Sequence, residues 1–188
     1  MKNDKLKIES EVKIQLSKDE FEKIPEKIIE NDFYFVSSNN LSDYYLKKSK
    51  SKYGGWDFIR LRSISDNKYL LTNKKWFLDK ENNKIRNEDE KEISVEEFQK
   101  LTQNYSVLIN KKRTNYKGLL FNMPTTVSLD ELTIGKNYYF IECEITTNPD
   151  NANTIREKIF QWMKGKLQLD NKEEAPSILD FIESINVL

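Results

Sequence analysis

Ile8-Glu9-Ser10-Glu11-Val12-Lys13-Ile14, near the start of the 188-residue chain, alternates strictly between two kinds of side chain. In an extended strand successive side chains point to opposite faces, so Ile8, Ser10, Val12 and Ile14 share one face and Glu9, Glu11 and Lys13 the other. The second face carries two carboxylates and an ammonium roughly 7 Å apart along the strand. A solvated strand face would account for this heptapeptide taken alone. The pattern recurs, however. In Asp57-Phe58-Ile59-Arg60-Leu61-Arg62-Ser63, Ile59 and Leu61 oppose Arg60 and Arg62. Tyr69 to Phe77 carries Thr72 and Lys74 on one side, and Lys84 to Ile93 aligns Lys84, Arg86, Glu88, Glu90 and Glu92. Val107 to Arg113 ends with Lys111 and Arg113, and Tyr138 to Ile145 opposes Glu142 and Glu144 to Ile141, Cys143 and Ile145.

Composition bounds what such strands can do. The length suits a single domain, 1–188, with a substantial core. Charged residues make up 33% of the chain, with 31 Lys+Arg against 31 Asp+Glu, so there is no basic excess to attract nucleic acid or an anionic membrane. The 10 Phe, 9 Tyr and 3 Trp argue against disorder. Histidine is absent, which excludes Ser-His-Asp and Cys-His catalysis and any His-ligated metal. One cysteine, Cys143, allows neither an internal disulfide nor a thiolate zinc site and suits a reducing compartment. Any metal would be a hard ion held by carboxylate oxygens: Mg²⁺, Mn²⁺ or Ca²⁺. No apolar run nears the ~18 residues of a membrane span, and Met1 to Lys5 lacks the apolar core of a signal peptide, so a cytoplasmic protein is expected.

The remaining signals place the elements. Ser17 caps a helix carrying Phe21, Ile24, Ile28 and Ile29, which Pro25 kinks or begins. Phe33 to Val36 and Ser42 to Leu46 read as two short strands. Gly54-Gly55, Asp66-Asn67 and Lys80 to Asn83 are turns, and the polar flanks of Lys84 to Ile93 suit an edge strand. Ser94-Val95-Glu96-Glu97 is a capping box opening a helix to about Gln103. Val127 to Asp130 pairs with Tyr138 to Ile145 across Gly135. Ile155, Ile159, Trp162 and Met163 mark one helix, and Ser177 to Leu188 a shorter one. About seven to nine strands with helices in between predict an α+β fold with a large antiparallel sheet. If the sheet closes into a barrel, two arrangements are open: aliphatic side chains inside and charge outside, or a polar tunnel whose aliphatic exterior the helices cover.

Burying so many ionisable groups is costly unless they are paired or bind something. A polyanion together with its metal ions would satisfy both signs, the Lys and Arg taking phosphate oxygens and the carboxylates one or two divalent ions. A triphosphate fits that number of cations better than a monophosphate.

Glu9-x-Glu11-x-Lys13 resembles the signature that opens the CYTH family, also called triphosphate tunnel metalloenzymes. Arg60-x-Arg62, Thr72-x-Lys74, Arg86-x-Glu88-x-Glu90, Lys111-x-Arg113, Asp130 and Glu142-x-Glu144 follow in the family's order. The resemblance spans residues 9 to 145. It implies a closed eight-stranded antiparallel β-barrel forming a tunnel, dependence on Mg²⁺ or Mn²⁺, and hydrolysis of a triphosphate, either inorganic or organic such as thiamine triphosphate. On that reading Glu9, Glu11, Asp130, Glu142 and Glu144 are metal-ligand candidates, with Glu88 and Glu90 as further ones. Arg60, Arg62, Lys74, Arg86, Lys111 and Arg113 clamp the phosphates, and Lys13 pairs with Glu9 and Glu11 or orients the attacking water. The partner is a triphosphate-bearing small molecule, with neither membrane nor nucleic acid expected; a homodimer stays open. The alternatives are an adenylyl cyclase making cyclic AMP from ATP and a module that binds polyphosphate or nucleotide without turning it over. Two stretches depart from the family's pattern. Asp43-Tyr44-Tyr45-Leu46 runs into Lys47 where an acid is usual, and Ala175-Pro176-Ser177-Ile178 stands where many members carry a Lys-Ser-Tyr-like segment.

Other conspicuous residues have plainer readings. Trp56, Trp76 and Trp162 are expected in the core, Cys143 in the aliphatic layer, and Lys47 to Lys52 in a solvated loop.

Overall fold

The computed structural model describes residues 8–53, 56–65, 68–78 and 84–185. The expected turns at Gly54-Gly55, Asp66-Asn67 and Lys80 to Asn83, Met1 to Lys5, and residues 186–188 of the helix expected over Ser177 to Leu188 lie outside the described residues. The chain opens with β1 (Ile8–Leu16) and α1 (Lys18–Glu30), followed by β2 (Tyr34–Lys50), β3 (Trp56–Ile64), β4 (Lys68–Leu78) and β5 (Lys84–Ile93). Then come α2 (Val95–Leu101), β6 (Val107–Leu120), β7 (Met123–Ile134), β8 (Lys136–Thr147), α3 (Ala152–Lys166) and α4 (Ile178–Ser184). The strands make one 8-stranded sheet in the order β1-β8-β7-β6-β2-β3-β4-β5. Neighbours run antiparallel in β1–β8, β2–β3, β3–β4 and β4–β5. This is the expected α+β class, with β5, read as an edge strand, at one end of the order.

Local chemistry explains the boundaries. The Ser17 hydroxyl accepts from the Glu20 amide at 3.3 Å while the Glu20 carboxylate accepts from the Ser17 amide at 2.7 Å, closing a reciprocal cap. The helix therefore begins at Lys18, and Pro25 lies inside it rather than at its start. Ser94 caps α2 by accepting from the Glu97 amide at 3.2 Å. Gly135, at φ +70°, turns β7 into β8 in a conformation that a side chain would strain. Two expectations fail. Lys47 to Lys50, expected within a solvated loop, end the 17-residue β2 and pair with β3, and Tyr34 to Val36 and Ser42 to Leu46 are not two strands but parts of that same strand. The polar Ser37 to Asn40 between them carries no Gly or Pro to end the strand, and its hydroxyls bond across to β6, Ser37 with Asn115 at 3.2 Å and Ser38 with Thr114 at 3.0 Å.

The chain divides into two compact units, Met1–Ser38 with Arg113–Glu131 and Asn137–Ala175, and Asn39–Lys112 with Leu132–Lys136 and Pro176–Leu188. In the first, the apolar face of β1 (Val12, Ile14), β7 (Val127, Leu129) and β8 (Ile141, Cys143, Ile145) is covered by Ile24 and Ile28 of α1 and by Ile155, Ile159 and Met163 of α3. The α3 residues recur every four positions and so form one stripe. Each such aliphatic side chain contributes about 1.5–3 kcal/mol on full burial. In the second unit Leu61, Ile93 and Phe98 form a smaller core with Tyr44, Tyr69 and Leu71 around them. Phe98 of α2 meets the Tyr69 ring at 4.4 Å and the Tyr44 ring at 5.5 Å. In the first unit, then, the helices cover the aliphatic face and leave the charged one to other work.

Candidate functional site

The β1–β8 register builds the charged face of the first unit. It sets Lys13 opposite Glu142, Glu11 opposite Glu144 and Glu9 opposite Thr146. Glu9, Glu11 and Glu144, all partly buried, each offer a carboxylate oxygen, and these oxygens lie within 4.8 Å of one another. Like charges directly opposite in a ladder destabilise it, so this trio is a place where a cation would be stabilising. Hard carboxylate oxygens at that spacing suit Mg²⁺ or Mn²⁺.

The neighbouring carboxylates are held differently. Lys13 Nζ meets Glu142 Oε2 at 2.7 Å. Arg113 donates through Nε and a terminal nitrogen to both oxygens of Asp130, at 2.6 Å each, and reaches Glu142 at 3.1 Å. This bidentate fork fixes the guanidinium plane. Asp130 and Glu142 are almost fully buried. Burial opposes the Lys13 charge, but Glu142, Glu11 and Asp130 outweigh it and hold its pKa above the ordinary lysine value. Lys13 is therefore a charged donor at neutral pH and not a base. Of the five carboxylates read as metal-ligand candidates, the structure groups Glu9, Glu11 and Glu144, while Glu142 and Asp130 are engaged by Lys13 and Arg113.

The second unit gathers the other basic residues. Asp43 stands opposite Arg62 and Tyr45 opposite Arg60 across β2–β3, Arg60 opposite Thr72 across β3–β4, and Thr72 opposite Glu90 and Lys74 opposite Glu88 across β4–β5. Asp43 receives the Arg62 fork at 2.6 and 2.9 Å, with Lys111 at 3.7 Å and Arg60 at 3.9 Å. Burial would raise the Asp43 pKa, but Arg62, Arg60 and Lys111 hold it far below the usual carboxylate range. Arg60 also donates to Thr72 at 3.1 Å and lies 3.5 Å from Glu88 and from Glu90, and Lys74 pairs with Glu88. Its Nε is buried without a partner among the described residues. Burial works against the Arg60 charge, and Asp43, Tyr45, Glu88 and Glu90 outweigh it, so the group stays cationic.

Arg60, Arg62, Lys74 and Lys111 thus come together with Glu88 and Glu90, whose carboxylates here hold cations. Arg86 lies on β5 opposite Trp76, but its side chain is outside the described residues. The residue that sequence reasoning missed is Asp43. Its signal was available: on β2 it shares a face with the buried Leu41 and Tyr45, an isolated acid on an otherwise closed face. Cys143 and Trp56 are buried and Trp162 packs against the first core, as expected. Burial first, then Glu144 and Glu142, pushes the Cys143 thiol well above its ordinary range.

The family model described as CYTH domain matches residues 7–177. No curated protein matches the sequence. Three of the solved structures that share the fold illustrate the likeness. A candidate adenylyl cyclase from Hippeastrum that reveals a dominant triphosphatase activity aligns at 18% identity and TM-score 0.62, covering 96% of this chain and 98% of that one. A conserved hypothetical protein from Pyrococcus furiosus aligns at 23% and 0.61, covering 85% and 90%. A candidate adenylate cyclase from Bacillus halodurans aligns at 15% and 0.56, covering 91% and 94%. Among the described residues no helix is long and apolar enough to cross a membrane.

Proposed function

The chain belongs to the CYTH domain family, and from that premise we propose that it is a divalent-metal-dependent hydrolase of inorganic triphosphate or a small organic triphosphate. The observation that carries the reading is the trio Glu9, Glu11 and Glu144 with its carboxylate oxygens within 4.8 Å. A Mg²⁺ or Mn²⁺ ion held there would neutralise phosphate oxygens and draw charge from the phosphorus under attack.

The chain's own residues supply the rest. Arg60, Arg62, Lys74, Lys111 and Arg113 are the proposed donors to phosphate oxygens, Arg86 joining them by its place in the family's order. Asp43 holds Arg62, Arg60 and Lys111 in place in the absence of substrate, and Asp130 does the same for Arg113. Lys13, fixed by Glu142, orients the attacking water or donates to the terminal phosphate. Water forms a bond to the terminal phosphorus, the bridging P–O bond breaks, and orthophosphate and the shortened phosphate leave. Phosphoryl transfer proceeds mainly by positioning and charge neutralisation, so the absence of histidine is no obstacle. The closed tunnel implied by the sequence resemblance is part of this proposal.

The test is product identity. Inorganic triphosphate, thiamine triphosphate and ATP are each incubated with Mg²⁺ or Mn²⁺, with Glu9→Ala as control. Metal-dependent orthophosphate that the variant fails to produce is the expected result. Pyrophosphate with cyclic AMP from ATP would replace the hydrolase by a cyclase, and tight binding with no turnover would replace it by a binding module.

A further inference from the structure

In the first unit a cavity of about 350 Å³ adjoins the carboxylate trio. Glu144 lines it, and so does Thr146, which the register sets opposite Glu9. Its other walls are mixed: Thr125 and Thr126 are polar, whereas Tyr34, Leu119 and Pro124 are apolar and exposed, Tyr34 and Leu119 retaining 63% and 64% of their surface in contact with water. An aromatic ring and an aliphatic side chain left this open beside three carboxylates lose the free energy that burial would return. A bare polyphosphate, which has no apolar surface, would not recover it. A planar ring would, since stacking on one aromatic side chain is worth about 1–3 kcal/mol, a factor of roughly 5 to 150. The volume lies at the lower end of the range for small-molecule pockets, which suits a ring system and not a polymer.

The charges narrow the ring. Lys117 stands on the same wall. With a divalent cation on the trio, the Glu144 charge is already compensated, and Lys117 then disfavours a second cation nearby. We infer that this cavity receives a neutral, planar heterocycle carried by the triphosphate, and that Tyr34 and Leu119 determine specificity for it. The inference rests on the triphosphate reading of the same site and adds to it the class of organic group and the residues that select it.

The experiment measures binding, so that it does not depend on turnover. ATP, thiamine triphosphate and inorganic triphosphate are titrated calorimetrically in EDTA into the full chain and into Tyr34→Ala, Tyr34→Phe and Leu119→Ser. Tyr34 and Leu119 are exposed, so the variants are expected to fold, and circular dichroism checks this. The wild type should bind ATP at least tenfold more tightly than inorganic triphosphate; its margin over thiamine triphosphate, whose ring is cationic, should appear when Ca²⁺ replaces EDTA and compensates the trio. Tyr34→Ala should erase the ATP margin, Leu119→Ser should reduce it, and Tyr34→Phe should keep it. Equal affinity of the wild type for ATP and inorganic triphosphate, or equal weakening of both by Tyr34→Ala, would overturn the inference. A margin present without metal-dependent phosphate release would sink the hydrolase and leave the pocket standing. Hydrolysis of inorganic triphosphate without any margin would do the reverse.

Discussion

The two charged clusters are built by the same strand alternation and hold opposite balances. Around β1 and β8, the carboxylates Glu9, Glu11, Glu144, Glu142 and Asp130 outnumber Lys13 and Arg113. Around β2 to β5, Arg60, Arg62, Lys74 and Lys111 gather about the buried Asp43, the partly buried Glu88 and the exposed Glu90. The first cluster leaves three carboxylates crowded together, whereas the second is organised about one carboxylate that several cations share. Crowded acids answer to an added cation, and cations sharing one acid answer to an added anion. On the proposed function the first would take the metal ion and the second the phosphate oxygens.

The largest expected effect comes from removing the shared acid. Asp43→Asn leaves Arg62 without its fork and takes a buried counter-charge from Arg60 and Lys111. Breaking a buried pair from one side costs about 3–5 kcal/mol, which urea denaturation would read directly. Added inorganic triphosphate should restore part of the loss by binding the freed cations. A loss below about 1 kcal/mol, or no recovery with triphosphate, would show that Asp43 does not organise this cluster.

Glu144→Gln acts on the other cluster. It removes one of two carboxylates that face each other in the β1–β8 ladder. Metal-dependent activity should fall about 10²- to 10³-fold, the scale on which a preorganised electrostatic group acts. A variant that keeps full metal-dependent activity would remove the trio from the mechanism.

What the sequence could show of this contrast was limited to faces. Alternation correctly set Glu9, Glu11 and Lys13 against Ile8, Val12 and Ile14, because one strand's period decides that alone. It could not distinguish Glu144 from Glu142. Both share a face of β8, and only the register shows that one meets Glu11 and the other Lys13. Asp43 escaped notice because it lacks an acidic or basic companion two residues away; its partner Arg62 is 19 positions along the chain. The polar Ser37 to Asn40 suggested a break in β2, when hydroxyl and amide bonds to β6 carry the strand through. The cavity at Tyr34 needed three segments to meet, which no local pattern records.

The clusters should also part company along the pH scale. The Asp43 pKa is depressed in the folded protein, so its contribution is complete above the ordinary carboxylate value, about 3.9, and is lost as pH falls towards the depressed one. The Lys13 pKa is raised, so its contribution is complete below about 10.4 and is lost as pH rises through the raised value. Urea midpoints measured from pH 2 to 11 should therefore fall at both ends. Asp43→Asn should flatten only the acid limb and Lys13→Met only the alkaline one. If either variant flattened both limbs, the two clusters would not titrate independently.

The smallest effect tests how sharply a strand separates its faces. Cys143 lies between Glu142 and Glu144 in sequence, yet it is fully buried among Val12, Ile14 and Ile159. Cys143→Ala should cost about 1–2 kcal/mol, the price of a small cavity in a packed core, and leave metal affinity unchanged within twofold. The native thiol should resist iodoacetamide at neutral pH, since burial hides the sulfur and holds it protonated. A tenfold change in metal affinity in Cys143→Ala would mean that the apolar layer beneath β8 sets the spacing of the Glu11 and Glu144 carboxylates. The site would then be tuned from both faces of the sheet, and its chemistry could not be assigned to the charged face alone.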